Sequence, residues 1–307
     1  MEKMEFSPEL FTPSDKSNLD MNKIVRPATT YWKDAWRRLK ANKIAMASIV
    51  LLALILILAI VGPMIQPYGY SEQNSAIVNQ GPSAEHWFGT DSLGRDLFVR
   101  CWVGARVSLL VAFVAAFFNM TIGIIYGGIS GYLGGKVDLV MMRLVEIIYS
   151  VPDLLWVILL MVILGPGLNT IIISIAITGW GNMARLVRGQ MLQLKQSDYV
   201  MASKTLGASS SRILVKHLLP NTMGPIIIDL TFSIPSAIFT EAMLSYLGLG
   251  VPVPLASWGT LANEGARMLM LEPYQLFFPA LLISLTMLGF NLVGDGLRDA
   301  LDPKMRR

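Results

Sequence analysis

Apolar residues run along this chain in long blocks nearly free of charge, and polar residues collect between them. The blocks are Ile44–Ile65, Val103–Gly131, Leu139–Leu164, Thr170–Arg188, Pro225–Leu249 and Leu276–Arg298. As helices rising about 1.5 Å per residue, each is long enough, or nearly so, to cross a hydrocarbon core of ~30 Å. The pattern predicts an all-α polytopic membrane protein with six transmembrane helices. Ahead of the first block, Trp32, Trp36 and Leu39 fall at i, i+4 and i+7, while Lys33, Arg37, Arg38, Lys40 and Lys43 occupy much of the remaining surface. That pattern predicts an interfacial helix leading into the membrane. Residues 1–30 are polar, with Pro13, Pro27 and scattered charge, and read as a flexible tail. The first block is too long, and its leader too long, for a signal peptide, so it reads as a retained anchor.

The organisation expected from this is a tail and interfacial helix (1–43), an anchor (44–65), a polar extracytoplasmic connection (66–102), a five-helix core (103–298) with a polar loop at 189–221, and a short tail (299–307). Composition agrees: 53% of the 307 residues are hydrophobic and 15% charged, with mean hydropathy +0.54, where soluble domains carry about 25% charge. The net charge of +4 raises the question of nucleic acid, and its placement answers it. With the N-terminus inside, 21 of the 25 Lys and Arg fall on inner segments and inner helix ends, leaving Arg95, Arg100, Arg106 and Arg267 outside. This is the bias of a membrane protein with both termini and the 189–221 loop in the cytoplasm. The single Cys101 excludes an internal disulfide and reads as a packed small residue.

Candidate chemistry is sparse. Ser130–Val137 imitates a nucleotide-binding loop, but Ser130 replaces its first glycine and Val137 its magnesium-binding hydroxyl, so it reads as a tight turn. There is no H-E-x-x-H, no G-x-S-x-G, and the chain has two histidines. Asp91 and Asp96, in Gly-Thr-Asp-x-x-Gly-Arg-Asp, have no companion ligands and read as a turn followed by a capped helix on the outer surface.

Polar residues inside the apolar blocks are more informative. Asp229, Ser233, Ser236 and Thr240 lie at i, i+4, i+7 and i+11, a stripe about 60° wide. Glu146, Ser150 and Asp153 repeat the spacing in the third block, where Pro152 should bend the helix. A membrane-buried charge must face protein or water, so these stripes either line a polar passage or join helices by hydrogen bonds. Asn291, Asp295 and Arg298 recur near the inner face, with Asp295 and Arg298 expected to form an i, i+3 ion pair. Gly123, Gly127, Gly128 and Gly131 suit close helix packing. Pro235 and Gly248–Gly250 should break the fifth span, and Trp258 should sit at the membrane interface.

The polar island Tyr199–Asn221 reads as two short helices, the first ended by Gly207 in a left-handed conformation. The second starts at Ser209 or Ser210, runs to Leu219 and stops at Pro220. Small Ala202 and Ser203 make the first helix thin enough to approach another surface closely. Here the chain resembles the cytoplasmic loop of bacterial ABC importer permeases, with Ala202, Gly207, Leu219 and Pro220 at matching positions and Met201, Ser203 and His217 departing from the pattern. The His217, Pro220, Asn221 ending and the Gly-Thr-Asp stretch are similar to those of the peptide-transporting branch.

The resemblance implies a type I ABC importer (MetI-like) permease in a bacterial plasma membrane, working by alternating access on oligopeptides. Dipeptides, glutathione-like peptides or nickel chelates are the other cargos the family suggests. It further implies a second permease subunit of related fold, two cytoplasmic ATPase subunits that carry the ATP and Mg, an external peptide-binding protein, and no cofactor on this chain. Ala202, Ser203, Thr205, Leu206 and Gly207 would contact the ATPase. An ATP-independent secondary transporter or channel, and an intramembrane enzyme using Glu146, Asp153 or Asp229, are the rival readings.

Overall fold

The computed structural model describes residues 30–302, and expectations for residues 1–29 and 303–307 lie outside the described residues. Helices dominate the described part. The first, α1 (Tyr31–Ala41), turns at Asn42, whose side-chain oxygen accepts from the Ile44 and Ala45 amides and so starts α2 (Lys43–Ile65). Trp32 and Trp36 are exposed on α1, whereas Ala35 and Leu39 are buried, Leu39 packing with Ala45 and Ala300. The shared face expected of Trp32, Trp36 and Leu39 is therefore divided between the surface and the bundle.

The longest uninterrupted α-helix is α3 (Leu97–Leu133), 37 residues. At 1.5 Å per residue it extends about 55 Å, well beyond a hydrocarbon core. Its start is set by Asp96, which accepts from the Val99 amide at 2.8 Å. The capped helix expected on the outer surface is thus the first turns of α3 itself, starting before Val103. Asp91 folds the preceding turn by accepting from the amides of Leu93 and Arg95 at 2.8 and 3.0 Å. Arg95 meets Asp91 at 2.7 Å, and both Arg95 and Arg100 reach Glu264, at 3.3 and 3.0 Å. This buried ionic cluster joins the start of α3 to α10 (Trp258–Arg267), a helix opened by a Ser257/Thr260 capping box.

α3 packs most extensively on α6 (Leu168–Leu194). Glycine permits the approach: a Cβ at Gly123 would lie 2.5 Å from Met183 Cβ, one at Gly131 2.7 Å from the Arg188 carbonyl oxygen, and one at Gly127 would overlap Ala184 backbone. Gly128 faces only the end of Leu214. α11 (Tyr274–Leu301) packs on α2 and α9 (Leu219–Leu244) and completes the bundle.

The bend expected at Pro152 is present: the third block is two helices, α4 (Gly135–Ser150) and α5 (Asp153–Leu164), bent by 82°. Pro152 supplies no amide, and Val151 before it is held extended. Three details differ from the sequence expectations. Pro220 does not stop a helix: a short α8 (Ser210–Arg212) runs through a π-helical turn, Ile213–Leu218, into α9. Pro220 lies in the first turn of α9, where its missing amide is tolerated. Pro235 also lies inside α9 without ending it; the helix changes only at the π-turn Ser245–Leu249, where Gly248 takes φ 85°. Trp258 is fully buried, its indole N–H donating to the Cys101 carbonyl at 3.0 Å. It locks α10 onto α3 instead of marking an interface.

Among the described residues five helices are long and apolar enough to cross a membrane, and the bent α4–α5 pair passes the same test jointly. Outward residues such as Ile60, Met64, Val162 and Ile163 are exposed and apolar. The helix surface is greasy where a water-soluble protein would be polar, as lipid or a partner helix requires.

Candidate functional site

A cavity of about 280 Å³ opens between α3, the α4–α5 break, α6 and α9. The stripe Asp229, Ser233, Ser236 and Thr240 lines it from α9. Asp153 joins from the first turn of α5, carried there by the break at Pro152. Two residues of the expected passage lie elsewhere: Glu146 pairs with Arg143 at 2.6 Å on an exposed face, and the Ser150 hydroxyl donates to the Ile147 carbonyl at 2.7 Å. The 82° bend breaks the helical register that would have kept them beside Asp153.

The cavity also gathers residues that the sequence reading left out. Asn119 enters from α3 and is seated against Gly179, where a Cβ would overlap its amide. Thr178 and Asn182 come from α6, and Tyr149 from the end of α4. The Asn182 backbone N–H donates to the Tyr149 hydroxyl at 3.1 Å, and Arg185 stacks 4.6 Å from the centre of the Tyr149 ring. A lone Asn in Phe-Phe-Asn-Met has no polar companion at helical spacing. Only its packing against Gly179 reveals it.

Farther along the bundle, α7 (Asp198–Thr205) projects from the end of α6. Its buried foot is Val200, packed with Met183, Val187, Met191, Ile213 and Leu218. Of the residues expected to contact a partner, Ala202, Thr205, Leu206 and Gly207 are exposed, Leu206 by 88%. Ser203 is half-buried, its hydroxyl donating to the Tyr199 carbonyl at 2.7 Å. Gly207 takes φ 81°, and Ala208 N–H closes on the Ser203 carbonyl at 3.1 Å, ending the helix in a compact cap. Ser209 then accepts from the Arg212 amide. The loop thus combines an exposed Leu206 with a buried Val200.

Behind this loop, the stretch that imitates a nucleotide-binding loop forms the α3–α4 corner, with Gly134 and Gly135 at positive φ. Ser130 donates to Asp138 at 2.5 Å, and Arg188 grips the same carboxylate. Asp295 and Arg298 form no ion pair among the described residues; Arg298 borders a separate hollow of about 700 Å³ between α1, α6, α9 and α11. The described residues contain no group of three or more His, Cys, Asp or Glu placed to hold a metal.

Residues 120–307 match the family described as binding-protein-dependent transport system inner membrane component. The chain belongs to this family. Residues 30–82 of the permease match the N-terminal TM domain of oligopeptide transport permease C. It is 55% identical over 298 residues to the oligopeptide transport system permease protein OppC of Bacillus subtilis (strain 168), covering 97% of this chain and 98% of that one. It is 53% identical over 300 residues to the dipeptide transport system permease protein DppC of the same organism, covering 97% and 94%. Its fold resembles a chain of the MetNI methionine ABC transporter in an inward-facing conformation, with TM-score 0.55 at 22% identity, covering 67% of this chain and 96% of that one. The permease therefore has the type I ABC importer architecture.

Proposed function

We propose that this permease is one of the two membrane subunits of an ATP-driven oligopeptide importer. The observation that carries the reading is 55% identity to an oligopeptide permease over nearly the whole chain. Dipeptide and glutathione permeases at 53% and 39% identity keep short peptides as a second reading of the cargo. On this reading a second permease covers the open side of the 280 Å³ cavity, and the two together form the passage. Asp153, Asp229, Ser233, Ser236 and Thr240 line this chain's half, and an external binding protein delivers the peptide.

The exposed tip of α7 docks on one of two cytoplasmic ATPases, which hold the ATP and Mg and perform the hydrolysis. Both termini then lie in the bacterial cytoplasm. The placement of Lys and Arg favours this orientation. An ATPase that moves α7 also moves α6, because Val200 shares a core with Met183, Val187 and Met191. α6 forms a wall of the cavity through Thr178 and Asn182. Alternating access requires only that the α7–ATPase contact differ in free energy between two states.

The deciding experiment is ATP-dependent uptake of labelled peptides of graded length by the reconstituted complex, with cysteine crosslinking from position 206. Uptake with crosslinks from Leu206→Cys to an ATPase is expected. Uptake that persists without any ATPase in the membrane points to a secondary transporter instead.

A further inference from the structure

The cavity presents its contents mainly with oxygen. Asp153 and Asp229 both line it, and its lining residues include no Lys, Arg or His. Among the described residues, no ion pair within 4.0 Å reaches either carboxylate. Three lining hydroxyls commit their protons to their own helices: Ser233 to the Leu230 carbonyl at 2.8 Å, Thr240 to Ser236 at 2.9 Å and Thr178 to Ser174 at 3.3 Å. Their remaining hydrogen-bonding capacity is lone pairs, which accept. Asn119, 8% exposed, has a side-chain oxygen with no partner, buried against Gly179 at the cavity wall. The donors that balance this are few: the Tyr149 hydroxyl, the Ser236 hydroxyl and the amides of Asn119 and Asn182.

A carboxylate inside a membrane protein needs a countercharge or water. Among the described residues neither Asp229 nor Asp153 forms an ion pair, Arg185 standing behind the Tyr149 ring, yet both carboxylates border an opening large enough for a side chain or a chain end. We infer that the cavity selects by charge: it receives the ammonium and guanidinium groups of the cargo, so basic peptides pass faster than acidic peptides of the same length. This rests on the reading of the chain as a peptide importer permease, and it assigns to Asp229 and Asp153 the discrimination within that passage.

The test uses the whole complex with its ATPases and binding protein. Maximal uptake rates are compared for tripeptides carrying Lys, Ala or Glu at one position, each with the binding protein saturated so that upstream recognition cancels. The wild type should favour Lys over Glu. Asp229→Asn and Asp153→Asn should each reduce the preference for Lys over Ala by roughly fivefold, for a charge about 4 Å away in a wet site, and the preference for Lys over Glu by more. If no peptide enters through the wild type while its ATPases turn over, the importer reading itself fails. If the wild type takes all three equally, or both variants lose all three in proportion, charge selection is overturned and the importer reading stands. Variants that separate the two permeases would overturn it as well, since the countercharge would then belong to the neighbouring subunit.

Discussion

Arg188 closes a two-pronged ion pair on Asp138, with Nε at 2.5 Å from one carboxylate oxygen and Nη2 at 2.6 Å from the other. The pair joins α6, which leads into α7, to α4, which carries Tyr149 to the cavity. Ser130 binds the same carboxylate from α3, and Lys195 donates to the Gly131 carbonyl at 3.0 Å nearby. Three helices are therefore fixed at one corner between the loop and the cavity.

Breaking that corner should weaken transmission before it weakens the fold. The pair is partly exposed, so its loss falls between surface and buried limits, about 1–3 kcal/mol. Asp138→Asn or Arg188→Gln should lower the Tm of the complex modestly and raise ATP hydrolysed per peptide imported. The exchange Asp138→Arg with Arg188→Asp should recover part of the coupling. An unchanged ratio of hydrolysis to uptake in both single variants would deny the corner any part in transmission.

Gly207 separates backbone strain from contact. A Cβ there meets nothing within 4 Å, but φ is 81°. For an L-residue that conformation costs about 1–2 kcal/mol, most for β-branched side chains. Gly207→Val should lose ATP-driven uptake while expression is retained, and Gly207→Asn should keep much of the activity. Equal uptake by wild type and Gly207→Val would mean that the shape of the cap is irrelevant to docking.

Asp229→Leu should lower uptake strongly while the complex assembles normally, because the residue borders the cavity and packs no neighbouring helix through an ion pair. Size-exclusion chromatography with uptake measurements separates the two effects. Normal uptake would remove Asp229 from the passage.

Gly127→Val should act oppositely. Its added side chain would collide with backbone at Ala184, which cannot swing aside. Overpacking of this kind typically costs 1–3 kcal/mol. A fall in Tm and in membrane yield is expected, and a Tm equal to wild type would mean that α3 and α6 separate easily.

The long apolar helices, the short helix ahead of the first and the capped loop were legible because they depend on local pattern: apolar length, helical spacing and a glycine after a short helix. The α9 stripe was legible for the same reason. The failures involve tertiary context. Pro220 and Pro235 look like stops in sequence, but the first turn of a helix tolerates one and packing carries α9 through the other. Trp258 has the composition of an interfacial residue, and its burial depends on a carbonyl 157 residues away. Glu146 and Asp153 share a face only if the helix is straight, and Pro152 makes two helices of it.

The ionic cluster of Asp91, Arg95, Arg100 and Glu264 has a consequence for biogenesis. Arg95 and Arg100 are almost wholly buried and share Asp91 at 2.7 and 3.4 Å, yet the second carboxylate that both reach, Glu264, is synthesised more than 160 residues later. The cluster is therefore completed only when α10 arrives, and a truncation before residue 264 leaves two buried arginines sharing the single carboxylate of Asp91. Such fragments should be recognised as incomplete by membrane proteases even when the preceding spans are in place.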